Sequence, residues 1–438
     1  MFESAKKAIS FWRRRGTKLL IRRILQEFSS GHDLEGLQGL DVARGGVKSS
    51  DFSRDRFLMA APMTTYSKVA RGEGCRVNIV TDSVQAGSLF GGVGTSLLFG
   101  VFLANRLDAQ LRIVTRTERP DETGVFNFLK LYRLNLENEL QFKFEPCDGH
   151  GYGVDFTEND FFVTTSWWTT ASTLSGVRAD KIIYLLQEDE RMFYPLGDDW
   201  VKCSQVMSND KITFVINTKL LYDHLVGEGF TNIPKNGFWF EPSFPLEVYH
   251  SEAKSEGGGR KKFFFYARPN NPRNLFYLGI EVIDQALKNG VLDPEEWDIL
   301  FVGSNIPDIE LFGGVRPIKY EKLPWGEYSA LLRSVDVGLS LMSTPHPSYP
   351  PLDLAASGAV VVTNKFALKT DLSGYSKNII CSELDVDDIV SAIGLAIELS
   401  ADDSARSRNY MNSGFSRSWE QSFEPVIDSI VGEGHAYN

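Results

Sequence analysis

The chain has 438 residues, 42% of them hydrophobic, enough to bury two sizeable cores and consistent with two or three domains. A net charge of -11 argues against a general nucleic-acid binder, and the widely spaced Cys75, Cys147, Cys203 and Cys381 form no C-x-x-C pair, so a reducing compartment and no structural metal are expected. No apolar run approaches the roughly 20 residues of a membrane-spanning helix and the start lacks the apolar core of a signal peptide, so a cytoplasmic protein is expected.

The first 28 residues break the acidic trend: Lys6, Lys7, Arg13, Arg14, Arg15, Lys18, Arg22 and Arg23 face only Glu3 and Glu27, beside apolar Phe11, Trp12, Leu19, Leu20, Ile21, Ile24 and Leu25. Two readings stand, a basic amphipathic helix in peripheral contact with anionic lipid and a solvated helix packed on the first domain. From Arg76 the pattern alternates. Arg76 to Val80 reads as a strand, Gly91-Gly92-Val93-Gly94 opens a helix to Leu107, and Leu111 to Thr115, Asp160 to Thr165, Lys181 to Gln187 and Lys211 to Asn217 read as further strands. Such alternation means βαβ units and a parallel sheet.

Ser251 to Gly259 is a polar, glycine-rich tract that reads as a linker or an exposed loop, after which the alternation restarts. The second half reads as strand Lys262 to Tyr266, helix Asn274 to Asn289, strand Asp298 to Val302, helix Trp325 to Ser334 and strand Val337 to Met342. A Pro/Ser/Tyr turn from His346 to Pro351 then leads into helix Leu352 to Ser357 and the apolar strand Ala359 to Thr363. A last helix, Ser418 to Val431, places Trp419, Phe423, Val426, Ile427 and Ile430 at helical spacing and needs a surface to lie on. The expected organisation is an N-terminal extension over 1–70, an α/β domain over 71–245, a second over 246–414 and a returning helix over 415–438, with any ligand in the cleft at the carboxyl ends of the strands.

Four features fall at those strand ends. Arg268 and Arg273 lie in a loop between strand and helix, where paired guanidinium groups suit a diphosphate; a pair of solvated surface arginines is the plainer reading. Gly91 and Gly92 allow close backbone approach but match neither G-x-G-x-x-G nor the Walker pattern. Trp325 and Glu327 stand at a loop and helix start that could cover a nucleobase, and Trp325 could equally be a buried core residue. Asp353 sits early in the helix after the turn, where its carboxylate could accept a sugar hydroxyl or favour the helix dipole. The N–H groups around Ser348 and Tyr349 form a natural phosphate cradle.

Together these residues resemble the family-4 glycosyltransferases of the GT-B fold. Arg268 to Arg273 has the spacing of that family's G-R-x-x-x-x-K, with arginine for lysine. Pro345 to Val362 lies over its E-x7-E motif, with Asp353 as the second glutamate and Pro345 where the first would stand. The wording PHPSYPPLDLA, FFYARPNNPRNLF, SWWTTAS and LLQEDERMFYP is similar to the WsaF-type rhamnosyltransferases of bacterial surface polysaccharides, over roughly Val77 to Val431. The resemblance implies an α/β fold of two Rossmann-like domains with parallel sheets facing across a cleft, the first for the acceptor and the second for the nucleotide-sugar donor. It also implies retention of anomeric configuration without cofactor or divalent metal, dTDP-rhamnose as donor and a glycan or lipid-linked glycan as acceptor.

Under that resemblance Gln187, Glu188 and Asp189 are catalytic candidates, Glu188 or Asp189 orienting the acceptor hydroxyl, and Asp189 a possible helix cap instead. Arg268, Arg273, Ser348, Tyr349, Gly91 and Gly92 hold the diphosphate. Asp353, Trp325 and Glu327 hold the nucleoside. His346, Trp167 and Trp168 face sugar or acceptor, with at most one of the adjacent tryptophans stacking on a ring because strand neighbours point opposite ways. Ser166 and Gln187 stand near positions where the family often carries histidines, which suits a 6-deoxy sugar. A UDP- or GDP-sugar donor, or a catalytically silent GT-B scaffold that binds glycan, are the competing readings.

Overall fold

A strand that is apolar along its whole length needs cover on both faces, and this chain supplies that cover twice. In the computed structural model, Arg76–Thr81 (β1), Gln110–Thr115 (β2), Leu140–Phe144 (β3), Phe161–Thr164 (β4), Ile182–Leu186 (β5), Thr213–Asn217 (β6) and Gly237–Phe240 (β7) form a parallel sheet in the order β3-β2-β1-β4-β5-β6-β7. Lys261–Ala267 (β8), Trp297–Gly303 (β9), Ile318–Glu321 (β10), Val337–Leu339 (β11), Val360–Asn364 (β12) and Ile379–Ser382 (β13) form a second parallel sheet in the order β10-β9-β8-β11-β12-β13. In both, strand order reverses beside the first strand, which opens a crevice at the carboxyl ends there. The structure describes residues 56–60, 66–68, 74–85, 89, 91–147, 151, 153–252 and 259–434. The basic stretch from Met1 to Phe28, almost all of the expected 1–70 extension, and residues 253–258 of the expected linker lie outside them.

One face of the first sheet packs on Gly92–Arg106 (α1), Glu122–Leu131 (α2) and the C-terminal helix Trp419–Gly434; the other packs on Trp167–Leu174 (α3), Asp198–Met207 (α4) and Lys219–Gly227 (α5). The second sheet lies between Phe276–Lys288 (α6) with the helix Val386–Ala401 on one side, and Trp325–Ser334 (α7) with Tyr349–Ala356 (α8) on the other. α6 crosses closely at Gly279, where an added Cβ would lie 2.2 Å from the Phe265 ring. The chain passes between the sheets twice. There Ser243 Oγ meets Ser416 Oγ at 2.6 Å and Ser422 Oγ at 2.7 Å, and Phe244 N–H donates to the Ser416 carbonyl at 2.8 Å.

The expected returning helix is present, with Trp419, Phe423, Val426, Ile427 and Ile430 all buried in the core of the first sheet. The central strands form where their apolar runs place them. The edge strands β3, β7, β10 and β13 were not expected, because they cover little: every residue of β3 is only half-buried, so its sequence carries no continuous apolar signal. A second difference is α3, which begins at residues read as a strand end. Ser166 caps it, accepting from Thr169 N–H at 3.2 Å, while Thr169 Oγ1 accepts from Ser166 N–H at 3.0 Å. The reciprocal cap starts a helix whose threonines have poor intrinsic propensity. α8 also begins earlier than expected, at Tyr349, since Pro350 and Pro351 fit a first helical turn. Among the described residues no helix is long and apolar enough to cross a membrane.

Phe423 is fully buried, with ring centroids 5.4 Å from Phe99 and 4.8 Å from Phe240. Phe423→Ala should therefore lower the unfolding free energy by about 3–5 kcal/mol in a denaturant titration; an unchanged midpoint would mean the returning helix does not anchor the first sheet.

Candidate active site

The loops that follow β1, β5, β8, β9, β10 and β11 converge on a cavity of about 580 Å³ between the two sheets. From the first half come Gly91, Gly92, Gln187 and Glu188; from the second come Arg268, Arg273, His346, Ser348, Tyr349, Trp325 and Asp353. The sequence-expected residues of the strand ends thus largely come together.

Contacts across the cavity tie the halves to each other. Arg273 Nη1 donates to Glu188 Oε2 at 2.7 Å, and the Thr344 hydroxyl donates to Glu188 Oε1. Burial pushes the Glu188 carboxyl above the usual carboxylate range, against the pull of Arg273 and Thr344. Tyr349 reaches over the glycine loop: its hydroxyl lies 2.6 Å from Thr95 Oγ1 and accepts from Asn217 Nδ2 at 2.8 Å. Gly91 is set at φ 64°, which glycine adopts without strain, and a Cβ there would make ordinary contact with that ring at 3.6 Å. Gln187 Nε2 donates to the Gly92 carbonyl at 2.6 Å, and a Cβ on Gly92 would crowd that amide at 3.1 Å. Gly92 therefore admits a side chain of this protein as well as any ligand.

The two arginines differ. Arg273 is held by Glu188 and lies 4.4 Å over the Phe193 ring, whereas among the described residues the Arg268 guanidinium hydrogen-bonds the Tyr266 hydroxyl alone, at 3.4 Å. The cradle of N–H groups expected around Ser348 is thin. Ser348 N–H donates to His346 Nδ1 at 2.9 Å, its hydroxyl is engaged by Met342 Sδ at 2.9 Å, and the next two residues after Tyr349 are prolines without an N–H. Ser348 is a turn residue at φ 70° whose own donors are committed. His346 gains from the same bond: with Nδ1 accepting, the ring proton sits on Nε2, which is buried and has no partner among the described residues. Burial, together with Lys369 and Arg273, lowers the His346 pKa to about 3, so the ring is neutral.

At the opposite end, Asp353 is enclosed by aromatic rings. Its Oδ2 accepts from the Tyr328 hydroxyl at 3.4 Å and its Oδ1 has no partner among the described residues. The Trp325 ring lies 6.2 Å from Tyr132, 6.3 Å from Tyr249 and 5.9 Å from Tyr328. Glu327 does not join them: it is exposed on the outer side of α7 and does not line the cavity, because the helix start that brings Trp325 and Tyr328 inward turns position 327 out. Sequence reading missed Tyr132, Tyr249, Lys322 and Thr344. Lys322 follows β10, an unrecognised edge strand, and the tyrosines come from segments remote in sequence, so only Thr344, next to the singled-out turn, had a local signal.

Three further expectations are corrected. Asp189 faces away from the cavity: it accepts from Arg191 Nε at 2.8 Å and Nη2 at 2.5 Å, and pairs with His224 Nε2 at 3.2 Å. Burial raises its pKa, but Arg191 and His224 more than offset that and hold it low, which is the capping role. Trp167 and Trp168 open α3 rather than ending a strand, and neither lines the cavity. The Trp167 indole donates to the Tyr194 hydroxyl at 3.0 Å and the Trp168 indole to Asp82 Oδ2 at 2.8 Å. Beneath them the buried Glu190 accepts from Trp167 N–H at 2.7 Å, and burial raises its pKa to about 8.

Burial raises the Asp353 pKa from 3.8 to about 7, with Tyr249 and Tyr328 pulling the other way. The folded chain therefore holds a proton that the unfolded chain releases between those values, and stability falls as pH rises through that window. Relative to wild type, Asp353→Asn should gain on the order of 3 kcal/mol between pH 4 and pH 8 in urea unfolding. Parallel curves for the two proteins would show that Asp353 titrates in the ordinary range.

Residues 76–219 match the family model described as WsaF, N-terminal domain, and residues 261–394 match the one described as WsaF, C-terminal domain. The O-antigen biosynthesis protein RfbC of Myxococcus xanthus is 30% identical over 280 residues, 63% of this chain and 21% of that protein, so the chain spans about a fifth of that relative's length. Among solved structures, an α,α-trehalose-phosphate synthase (UDP-forming) from Burkholderia vietnamiensis aligns with a TM-score of 0.54 at 10% identity, over 84% of this chain and 99% of that one. Anabaena HepE in complex with UDP-glucose aligns with a TM-score of 0.52 at 11% identity, over 83% and 100%. With both domain models matched in order and together over more than half its length, the chain belongs to the WsaF family and has the GT-B fold.

Proposed function

We propose that this protein is a retaining glycosyltransferase that moves L-rhamnose from dTDP-rhamnose to a growing bacterial surface glycan. The observation that carries the reading is the pair Arg268 and Arg273 in a cavity between two α/β sheets, where Lys322 adds a third cation and Glu188 and Asp353 are the acids among the lining residues described. A cavity so charged suits a diphosphate. The names of the similar proteins support the class: the Myxococcus relative is an O-antigen biosynthesis protein, and HepE is recorded with UDP-glucose.

In this reading the bond from the anomeric carbon to the diphosphate oxygen breaks and its electron pair leaves with the phosphate. The acceptor hydroxyl attacks from the same face, and its proton passes to the leaving phosphate oxygen. Arg268 and Arg273 stabilise the charge that develops there, so no divalent metal is required. A phosphate arriving at Arg273 competes with Glu188 for the guanidinium, and the released carboxylate turns to the acceptor hydroxyl, beside Gln187. Trp325 flanks the base and Asp353 takes a hydroxyl of the nucleoside sugar on its unpartnered Oδ1. The neutral His346 donates from Nε2 to a rhamnose oxygen. The acceptor is a lipid-linked glycan at the cytoplasmic face of the inner membrane, which the basic stretch from Met1 to Phe28 would approach.

Calorimetric titration with dTDP-rhamnose, UDP-glucose and GDP-mannose, without divalent metal and then with it, tests the donor. Binding of the first alone and without metal is expected; binding of UDP-glucose alone would replace the donor, and binding of none would leave a silent scaffold. Arg273→Ala should weaken donor binding by about 1.5–3 kcal/mol, and unchanged affinity would remove Arg273 from the diphosphate site.

A further inference from the structure

Lys369 is among the largest fully buried side chains of the protein, although lysine is almost never fully buried unless paired. No carboxylate among the described residues lies within ion-pair distance of it. Among the described residues its ammonium makes one hydrogen bond, to the Met342 carbonyl at 3.2 Å, from a tight turn in which Phe366 and Lys369 exchange backbone bonds of 2.9 and 2.8 Å. That carbonyl opens the loop of the donor site. Asn364 also holds Met342, accepting from its N–H at 2.7 Å and donating to its carbonyl at 3.1 Å, while Ser343 N–H donates to the Arg273 carbonyl at 2.8 Å. Thr344, which binds Glu188, and His346 and Tyr349, which line the cavity, follow in the same loop.

The groups that face the ammonium do not balance it. Cys381 on β13 and Glu188 from the other half favour its charge, but Glu188 is already bound to Arg273 and Thr344, and the remaining neighbour, His346, is neutral. Such a charge persists when something else in the working molecule supplies the counter-ion. The backbone in front of it is poor in free N–H groups, because two prolines and a committed Ser348 occupy the turn.

We infer that Lys369 is a positioning residue of the donor site, a cation behind the Met342–Tyr349 loop that fixes this loop and whose missing counter-charge is the donor's diphosphate. This rests on the reading of the cavity as a nucleotide-sugar site. Burial lowers the Lys369 pKa to about 8, with Cys381 and Glu188 opposing, so a bound diphosphate draws a proton onto it and donor affinity falls as pH rises through that range. Asp353 and Glu190 also titrate in or near this range, and a variant at 369 leaves both in place.

The test is calorimetric titration of the full chain with dTDP, UDP, GDP and thymidine between pH 6.5 and 9.5, for wild type and Lys369→Met. Wild-type dTDP affinity should fall on the order of tenfold across the range, and Lys369→Met should be weaker by a similar factor at low pH and lack that part of the pH dependence. Thymidine, which has no phosphate, should bind both alike, and the melting temperature of the variant should be unchanged or higher because a buried charge is gone. Equal dTDP affinity in the two proteins overturns the inference, and so does a parallel loss of thymidine binding with a lower melting temperature. Should the variant not fold, wild-type titrations at pH 8.5 in buffers of different ionisation enthalpy decide: proton uptake on dTDP binding that thymidine binding does not produce supports Lys369, and none overturns it. If wild type binds no nucleoside diphosphate, the donor assignment itself fails and Lys369 falls with it; binding of UDP or GDP in place of dTDP changes the nucleotide and leaves Lys369 to be judged on the diphosphate that does bind.

Discussion

The carboxylate of Glu188 is set between the two halves of the protein, bonded on one side by Arg273 and on the other by Thr344. A buried charge is tolerated only while its partners stay in place; removing one typically costs about 3–5 kcal/mol. The loops after β5, β8 and β11 are consequently held in one mutual arrangement. Tyr349 adds a second tie, its hydroxyl shared between Thr95 at the start of α1 and Asn217 at the end of β6. Both ties run through residues that also line the cavity. The same contacts that close the halves together therefore shape the space in which a ligand would lie, and a ligand that takes Arg273 must loosen one of them.

The charges of the site follow a consistent arrangement. Helix N-termini attract anions through free N–H groups, but α8 begins with two prolines and a Ser348 whose N–H goes to His346. Positive charge is supplied by side chains instead, Arg268, Arg273 and Lys322 on the wall and Lys369 behind it. His346 remains neutral because it is buried and two of these cations lie near it. An imidazole so placed presents a fixed N–H donor and no acceptor, a more selective group than a mobile hydroxyl.

Much of this was legible in the sequence where one physical signal dominated. The β-branched run Val360 to Thr363 permits little else than a strand covered on both faces, and Trp419, Phe423, Ile427 and Ile430 define one face of a helix. Arg273, His346 and Asp353 reached the cavity because strand ends of an open parallel sheet lead there. Reading failed where two signals competed. In SWWTTAS the threonines and tryptophans favour a strand, yet one capping box at Ser166 outweighed them and turned both indoles away from the cavity. Asp189 stands one residue from Glu188, and only the three-dimensional placement of Arg191 and His224 decides that it caps while its neighbour lines the site.

The turn around Pro345 shows how a local change alters the chemistry offered to a ligand. Where the resembling family carries a glutamate, an acceptor with negative charge, this chain has a proline followed by His346 with its donor Nε2–H. With proline there, the turn adds no further carboxylate and Glu188 keeps its pairing to Arg273. The groups that meet a ligand at this end are then donors, so the oxygens they recognise must act as acceptors. A phosphate satisfies that at Arg268 and Arg273, and a ring or hydroxyl oxygen satisfies it at His346. Under the proposed function, the selectivity of this end rests on which acceptor atoms a sugar presents and at what distance from its phosphate.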